Sequence, residues 1–218
     1  MLFEQRCGIC DSSAERLCRQ CRYSLTLARV DPGLVNERAA ELGLDSLAAV
    51  FDYDEVVAKA ILAAKNGGRR DLLRVMAHWL SIAIETSTET VAFNADTESN
   101  ANTVTWVPAS RPNKRRRGYD QGAILARSLA AELGVRAAPL LKRQGSAGQK
   151  GASREQRLLG PALRGTAGLR VQRRRIDGQV LLVDDVLTTG ASIATATAFL
   201  RCSGITGVHG AVVAIVNH

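Results

Sequence analysis

The chain has 218 residues, 46% hydrophobic, 23% charged and 4% aromatic, with a formal net charge of +8. That length allows one α/β domain with a small appendage, and Ala, Val and Leu rather than aromatic rings must fill its core. The basic balance favours anionic partners such as nucleotides or nucleic acid without choosing among them, and it is also compatible with a plain solvated surface. The amino terminus lacks an apolar core of signal-peptide length, and no stretch approaches the ~20 apolar residues of a spanning helix. A cytoplasmic, reducing setting is expected, in which cysteines bind metal more readily than they form disulfides.

Residues 1–28 hold two C-x2-C pairs, Cys7 with Cys10 and Cys18 with Cys21. A two-residue spacer lets one tight turn aim two thiolates at the same ion, and two such turns complete a tetrahedral set. The segment is too short for a core of its own, so a structural Zn²⁺ would supply its folding energy. A redox pair or unrelated cysteines are the other readings, and neither accounts for the matched second pair. Four thiolates leave no open position for catalysis at the metal. The expected division is a knuckle at 1–28 and an α/β domain at 29–218.

Beyond the knuckle, Asp31, Pro32 and Gly33 read as a turn and 37–42 as a short helix. Residues 49–53 read as a strand. Asp54 caps a helix over 55–65 with Val56, Ala60, Ile61 and Ala64 on one face, stopped by Asn66, Gly67 and Gly68. A second amphipathic helix over 70–85 buries Leu72, Leu73, Met76, Leu80 and Ile84, with His78 expected near the surface rather than as a ligand. Residues 86–103 form a polar connection with one apolar island at 91–93. A strand at 104–107, a turn at 108–111 and a helix at 119–133 follow. Residues 136–168 are basic and glycine-punctuated, and read as loop. A strand at 180–184, a helix at 191–202 carrying Cys202 as an ordinary buried thiol, and a strand at 208–216 close the chain. Alternating strands and helices imply a mostly parallel sheet with both faces covered.

Residues 180–192, VLLVDDVLTTGAS, combine these signals in one segment. Four apolar residues form a buried parallel strand, and Asp184 and Asp185 stand toward its carboxyl end, where ligands bind in open α/β sheets. A hydroxyl- and glycine-rich turn then opens a helix, whose free N–H groups and positive dipole end suit a phosphate. Two carboxylates beside a phosphate cradle suit sugar hydroxyls, directly or through a divalent metal. The segment therefore describes a phosphorylated ribose, with Mg²⁺. The competing reading is a buried strand ending in a capped turn. A second stretch, VPASRPNKRRRGYDQ at 107–121, has the same strand–turn entry. Free N–H groups of Ala109, Ser110 and Arg111 suit diphosphate oxygens, and Lys114 through Arg117 would offset the charge. Taken alone, the basic run also reads as a solvated face or a nucleic-acid patch.

The segment at 180–192 resembles the phosphoribosyl pyrophosphate (PRPP) motif of type I phosphoribosyltransferases. The resemblance implies that Asp184 and Asp185 hold the ribose hydroxyls and that Leu187, Thr188, Thr189, Gly190, Ala191 and Ser192 wrap the 5′-phosphate. With Cys7, Cys10, Cys18 and Cys21, then Lys65, Asn66 and Gly67, then Arg111, Arg115, Arg117, Gly118 and Gln121, then Gln149, Arg154 and Arg157, the chain as a whole resembles the ComF family. The family joins a four-cysteine zinc knuckle to a phosphoribosyltransferase-like α/β domain and is associated with DNA uptake in natural competence. It implies Mg²⁺-dependent PRPP binding, with Asp184, Asp185 and Arg111 as the catalytic set and Lys114, Arg115 and Arg117 beside the diphosphate. It also implies a hood over the site from 142–157 and a knuckle that docks uptake machinery. Two rival expectations accompany transfer: single-stranded DNA binding along the basic loops, and PRPP sensing without turnover. This chain departs from the family at Tyr119 and Asp120, where phenylalanine and asparagine are usual, and at Gly160, near the place of a family asparagine. Its polar insertion at 86–103 is also longer than usual.

Overall fold

The computed structural model describes residues 6–13, 16–66, 68–86, 102–144, 162–174 and 178–217. Helix α1 (Arg19–Leu27) leaves the knuckle, and α2 (Pro32–Glu41) follows. Strand β1 (Leu47–Asp52) leads to α3 (Glu55–Asn66) and α4 (Arg70–Thr86). Strand β2 (Thr103–Trp106), α5 (Arg111–Arg117), α6 (Gln121–Glu132) and β3 (Arg136–Ala137) come next, then the short strands β4 (Leu141–Arg143) and β5 (Leu163–Gly165). Helix α7 (Ala167–Gln172), β6 (Val180–Leu187), α8 (Ala191–Cys202) and β7 (Val208–Ile215) complete the order.

The main sheet has five strands in the order β1-β7-β6-β2-β3, and every pairing is parallel. All eight residues of β7 are buried, and β6 is buried from Val180 to Val183, as expected of strands covered on both faces. Helices α1, α3, α4 and α6 pack on one face around Leu72, Leu80, Leu129 and Leu181. Helices α2, α7 and α8 cover the other around Leu169, Leu182, Ile193 and Leu200. Knuckle residues Cys7, Leu17, Cys21 and Leu25 belong to the first of these cores rather than to one of their own.

The α/β architecture with a parallel sheet and an amino-terminal cysteine cluster is as expected, and so is the apolar face of α4; on α3, Val57 rather than Val56 joins Ala60, Ile61 and Ala64 on the buried face. His78 lies exposed, 3.1 Å from Glu132 Oε2. Several local expectations need correction. Residues 31–33 are not a turn: Asp31 caps α2 through Gly33 N, and Pro32 occupies its first turn, where a missing N–H costs nothing. Residues 136–168 are not loop throughout, because β3 joins the sheet edge, β4 and β5 form an antiparallel ribbon, and α7 follows. Strands of two and three residues are too short to show an alternation in sequence. Cys202 is exposed at the end of α8 rather than buried. Most of the 86–103 connection, Gly67, and Gln149, Arg154, Arg157 and Gly160 lie outside the described residues.

Leu80 is fully buried where α4 meets α6 and the sheet. Leu80→Ala is expected to cost about 2–4 kcal/mol, read as a lower urea midpoint at unchanged slope.

Candidate functional site

Two crossovers leave adjacent strands in opposite directions. From β2 the chain passes through α5 and α6 to β3, on one side of the sheet order; from β6 it passes through α8 to β7, on the other. Helix α6 lies on one face and α8 on the opposite face. The carboxyl ends of β2 and β6 therefore flank a topological switch point, the crevice where open α/β sheets bind ligands. The two segments singled out in the sequence, after β2 and after β6, are the two lips of this crevice.

Strand β6 runs on to Leu187, so both acids lie within it. Successive side chains of a strand point to opposite faces. Asp185 faces the α3–α4–α6 layer and is buried. Its Oδ1 is 2.9 Å from Lys65 Nζ, and its Oδ2 accepts from Gln121 Nε2 at 3.3 Å. Asp184 stands half-buried on the other face, one oxygen accepting from Asp185 N at 2.9 Å. Burial, then the neighbouring Asp185 charge, push the Asp184 carboxyl up to about 8; Lys65 and Arg143 oppose the shift without cancelling it. The two acids are thus inequivalent. Asp185 is already paired, while Asp184, on the opposite face of β6, has no cation within salt-bridge distance among the described residues.

Beyond β6, Thr188 and Thr189 are exposed, and Ala191 and Ser192 are half-buried. Gly190 caps α8 in the left-handed region at φ 78 and, with no side chain, makes no cap bond, while Ala191 N donates to Thr189 Oγ1 at a long 3.5 Å. A Cβ on Gly190 would lie 2.5 Å from Leu42 Cδ2, so the position excludes other residues twice over. Leu187 is a buried strand residue whose carbonyl accepts from Val216 N, so it anchors the turn from below. Arg38 of α2 donates from Nη2 to Thr188 O at 2.9 Å and holds the turn from the side.

The lip after β2 is helical where a loop was expected. Ser110 Oγ accepts from Asn113 N at 3.4 Å as the cap of α5, Pro112 sits in the first turn, and Gly118 at φ 73 closes the helix through Lys114 O. Ser110 as cap, an early proline and a closing glycine were the signal in the sequence. The fold divides the basic run. Lys114 Nζ lies 2.6 Å from Asp120 Oδ2, so the Asp120 carboxylate sits beside the cations. Arg117 Nη1 donates to Gln121 Oε1 at 2.6 Å, extending a chain of contacts through Gln121 to Asp185. Arg111 and Arg115 are exposed, and Ala109 and Ser110 are half-buried beside them.

Arg143 of β4 was not among the expected ligand residues. Its Nε donates to Pro108 O at 2.7 Å, tying the β4–β5 ribbon to the β2 lip. Burial lowers its pKa, while the charges of Asp184 and Asp120 oppose that. Of the expected hood, Arg143 thus lies against the β2 lip; residues 145–157 are outside the described residues.

The four knuckle cysteines converge, with their sulfurs all within 4.8 Å of one another. That suits one tetrahedral ion with metal–sulfur bonds of about 2.3 Å. Cys18 caps α1, its Sγ accepting from Cys21 N, while Cys18 N donates to Cys7 Sγ, both at 3.4 Å. Burial acts to raise the Cys7 thiol, but N–H donors from Cys10, Cys18 and Ile9 outweigh it and lower its pKa. The Ser12 hydroxyl lowers Cys10 and the Cys21 N–H lowers Cys18. Burial, then the crowding of the other sulfurs, raise Cys21. Among the described residues no helix is long and apolar enough to cross a membrane.

No protein-family model matches the chain, and no curated protein matches it. Among solved structures the chain is similar to an allosteric regulatory enzyme of purine biosynthesis, at 19% identity and a TM-score of 0.42, over 69% of this chain and 29% of that one. It is also similar to the glutamine PRPP amidotransferase of B. subtilis, at 16% identity and a TM-score of 0.42, over 69% of this chain and 30% of that one. The adenine phosphoribosyl transferase of Trypanosoma brucei shows 13% identity and a TM-score of 0.38, over 70% of this chain and 68% of that one. The chain spans about three tenths of the length of the first two.

Two outcomes test this geometry. With its pKa near 8, Asp184 keeps a proton in the native state that the unfolded chain loses near pH 4. Its contribution to stability therefore falls as pH rises from about 4 to 8. Asp184→Asn in Mg²⁺-free buffer is expected to be more stable than wild type by about 1–3 kcal/mol at pH 8, with a smaller gain at pH 5; a gain that does not grow with pH contradicts the assignment. Gly190→Ala must take up both the positive φ and the Leu42 contact, and is expected to lose about 1–3 kcal/mol in urea unfolding.

Proposed function

We propose that this chain is a type I phosphoribosyltransferase-like protein of the ComF kind, binding PRPP with Mg²⁺ and transferring its phosphoribosyl group to a nitrogen acceptor. The observation that carries the reading is the placement of the acid pair and the glycine-capped α8 amino terminus on one lip of the switch-point crevice, with the basic α5 on the other. A ligand with a phosphate at one end, a diol in the middle and a diphosphate at the other matches that sequence of charges.

In this reading the N–H groups at 190–192 and the Thr188, Thr189 and Ser192 hydroxyls hold the 5′-phosphate. Asp184 orients the ribose hydroxyls from the crevice side. Asp185 sets the floor beneath them through its Lys65 and Gln121 contacts. Arg111, Lys114, Arg115 and Arg117 stabilise the leaving diphosphate, with Arg143 adding charge from the ribbon. The protein contributes positioning and fixed charge as the bond from C1′ to diphosphate breaks. Asp184, whose charged form burial and the Asp185 charge disfavour, would help hold a Mg²⁺ ion, which would supply positive charge beside the ligand's oxygens. The four cysteines hold a structural Zn²⁺, and a cytoplasmic role in DNA uptake is the setting the family resemblance supplies.

The single-stranded DNA reading is weakened by Tyr119. Its hydroxyl donates to Ala64 O and Lys65 O, and Arg70 lies 4.5 Å over its ring, so the aromatic of the basic lip is committed inward rather than offered to a base.

Titration calorimetry of PRPP with Mg²⁺ tests the reading on zinc-loaded wild type and on the Asp184→Asn/Asp185→Asn variant. Saturable binding that weakens by about tenfold or more in the variant is expected, each lost charge-assisted contact being worth about 1.4 kcal/mol or more. Diphosphate release with a nitrogen acceptor then separates a transferase from a sensor. Absence of PRPP binding by wild type refutes the proposal; salt-sensitive DNA binding that Arg115→Ala and Arg117→Ala weaken would then take its place.

A further inference from the structure

The knuckle and the crevice are joined through one short stretch of chain. Arg69, between α3 and α4, donates from Nη1 to Arg6 O at 2.7 Å and from Nη2 to Arg16 O at 3.4 Å. Arg16 O also accepts from Gly8 N at 2.8 Å, so one guanidinium engages backbone beside both cysteine turns. The guanidinium is fixed in turn by Asp71, through Nε–Oδ1 at 3.0 Å and Nη2–Oδ2 at 2.8 Å. Gly8 lies so close to α4 that a Cβ would come within 2.5 Å of Leu72 Cδ1. Toward the crevice, Lys65 pairs with Asp185, the Tyr119 hydroxyl donates to Ala64 O and Lys65 O, and Arg70 covers the Tyr119 ring. Ala64, Lys65, Arg69 and Arg70 thus hold the knuckle, the basic lip and the buried acid in one arrangement.

We propose that Arg69 is a positioning residue coupling the four-cysteine cluster to the ligand crevice, so that metal in the knuckle and phosphoribosyl ligand in the crevice each tighten the binding of the other. The proposal rests on the PRPP-binding reading above. The knuckle turns depend on metal for their shape, having little core of their own. Without it, Arg6 O and Arg16 O no longer present fixed acceptors to Arg69, and the corner that also places Lys65 loosens. An ion held by four thiolates carries net negative charge, which suits the Arg69 guanidinium that Asp71 already holds beside both cysteine turns. Coupling of this kind is reciprocal: the factor by which metal tightens ligand equals the factor by which ligand tightens metal.

The experiment measures zinc affinity by competition with a chromophoric chelator, with and without saturating PRPP and Mg²⁺, on full-length wild type and Arg69→Gln. In wild type the ligand is expected to tighten zinc about 5- to 50-fold, with calorimetry giving the same factor for PRPP on adding zinc. In Arg69→Gln both ligands still bind and the factor falls below about 2. A residue with only a structural role would weaken zinc and leave the factor unchanged. Should Arg69→Gln fail to fold, Asp71→Ala releases the Arg69 guanidinium without touching the ligand crevice and is expected to lower the factor likewise. A factor of one in wild type, or a wild-type factor persisting in the variant that folds, overturns the coupling alone. Absence of PRPP binding by zinc-loaded wild type overturns the function reading and the coupling with it.

Discussion

A strand sends successive side chains to opposite faces, and in β6 that alternation places Asp184 and Asp185 in different surroundings. Asp185 enters the layer of α3, α4 and α6, where Lys65 and Gln121 satisfy it. Asp184 lies on the other face, where desolvation and its neighbour's charge lift its pKa. Much of the site follows from this separation. One acid is satisfied by a lysine and an amide, and the other is kept on the opposite face at an energetic cost to its charged form.

The basic residues are divided by the same logic. Lys114 and Arg117 are engaged by Asp120 and Gln121, which lowers the repulsion among four consecutive cations, and Arg115 and Arg116 stand exposed. Their position in the last turn of α5 suits the negative end of the helix dipole. Arg143 adds a further cation from a ribbon that belongs to neither lip, and its bond to Pro108 O fixes the distance between ribbon and lip. Lys114, Arg117 and Arg143 are thus held by named partners, while Arg111 and Arg115 stand exposed beside them.

The knuckle is part of this construction. Cys7, Leu17, Cys21 and Leu25 share the core beneath α3 and α4, and Arg69 links both cysteine turns to the corner that carries Lys65. Gly8 leaves no room for a side chain against Leu72. The cluster braces the layer that holds Asp185, and its thiols are tuned unequally by N–H donors, a hydroxyl and burial.

By itself the sequence determined what depends on neighbours along the chain. The spacing of Cys7, Cys10, Cys18 and Cys21, the apolar faces of α3 and α4, and the order of strand, acids, turn and helix at 180–192 are local patterns with periods of two to four residues. The caps of α5 were equally local, in Ser110, Pro112 and Gly118, but the run of positive charge between them obscured the helix. Tertiary structure decided which groups meet. Lys65 with Asp185, Arg143 with Pro108, Arg38 with Thr188 and Arg69 with Arg16 join residues whose separation no short period encodes. Those pairings are set by strand order and by the faces the crossover helices take, because burying both sides of a parallel sheet admits few arrangements, and the arrangement adopted brings distant chain segments to the same crevice.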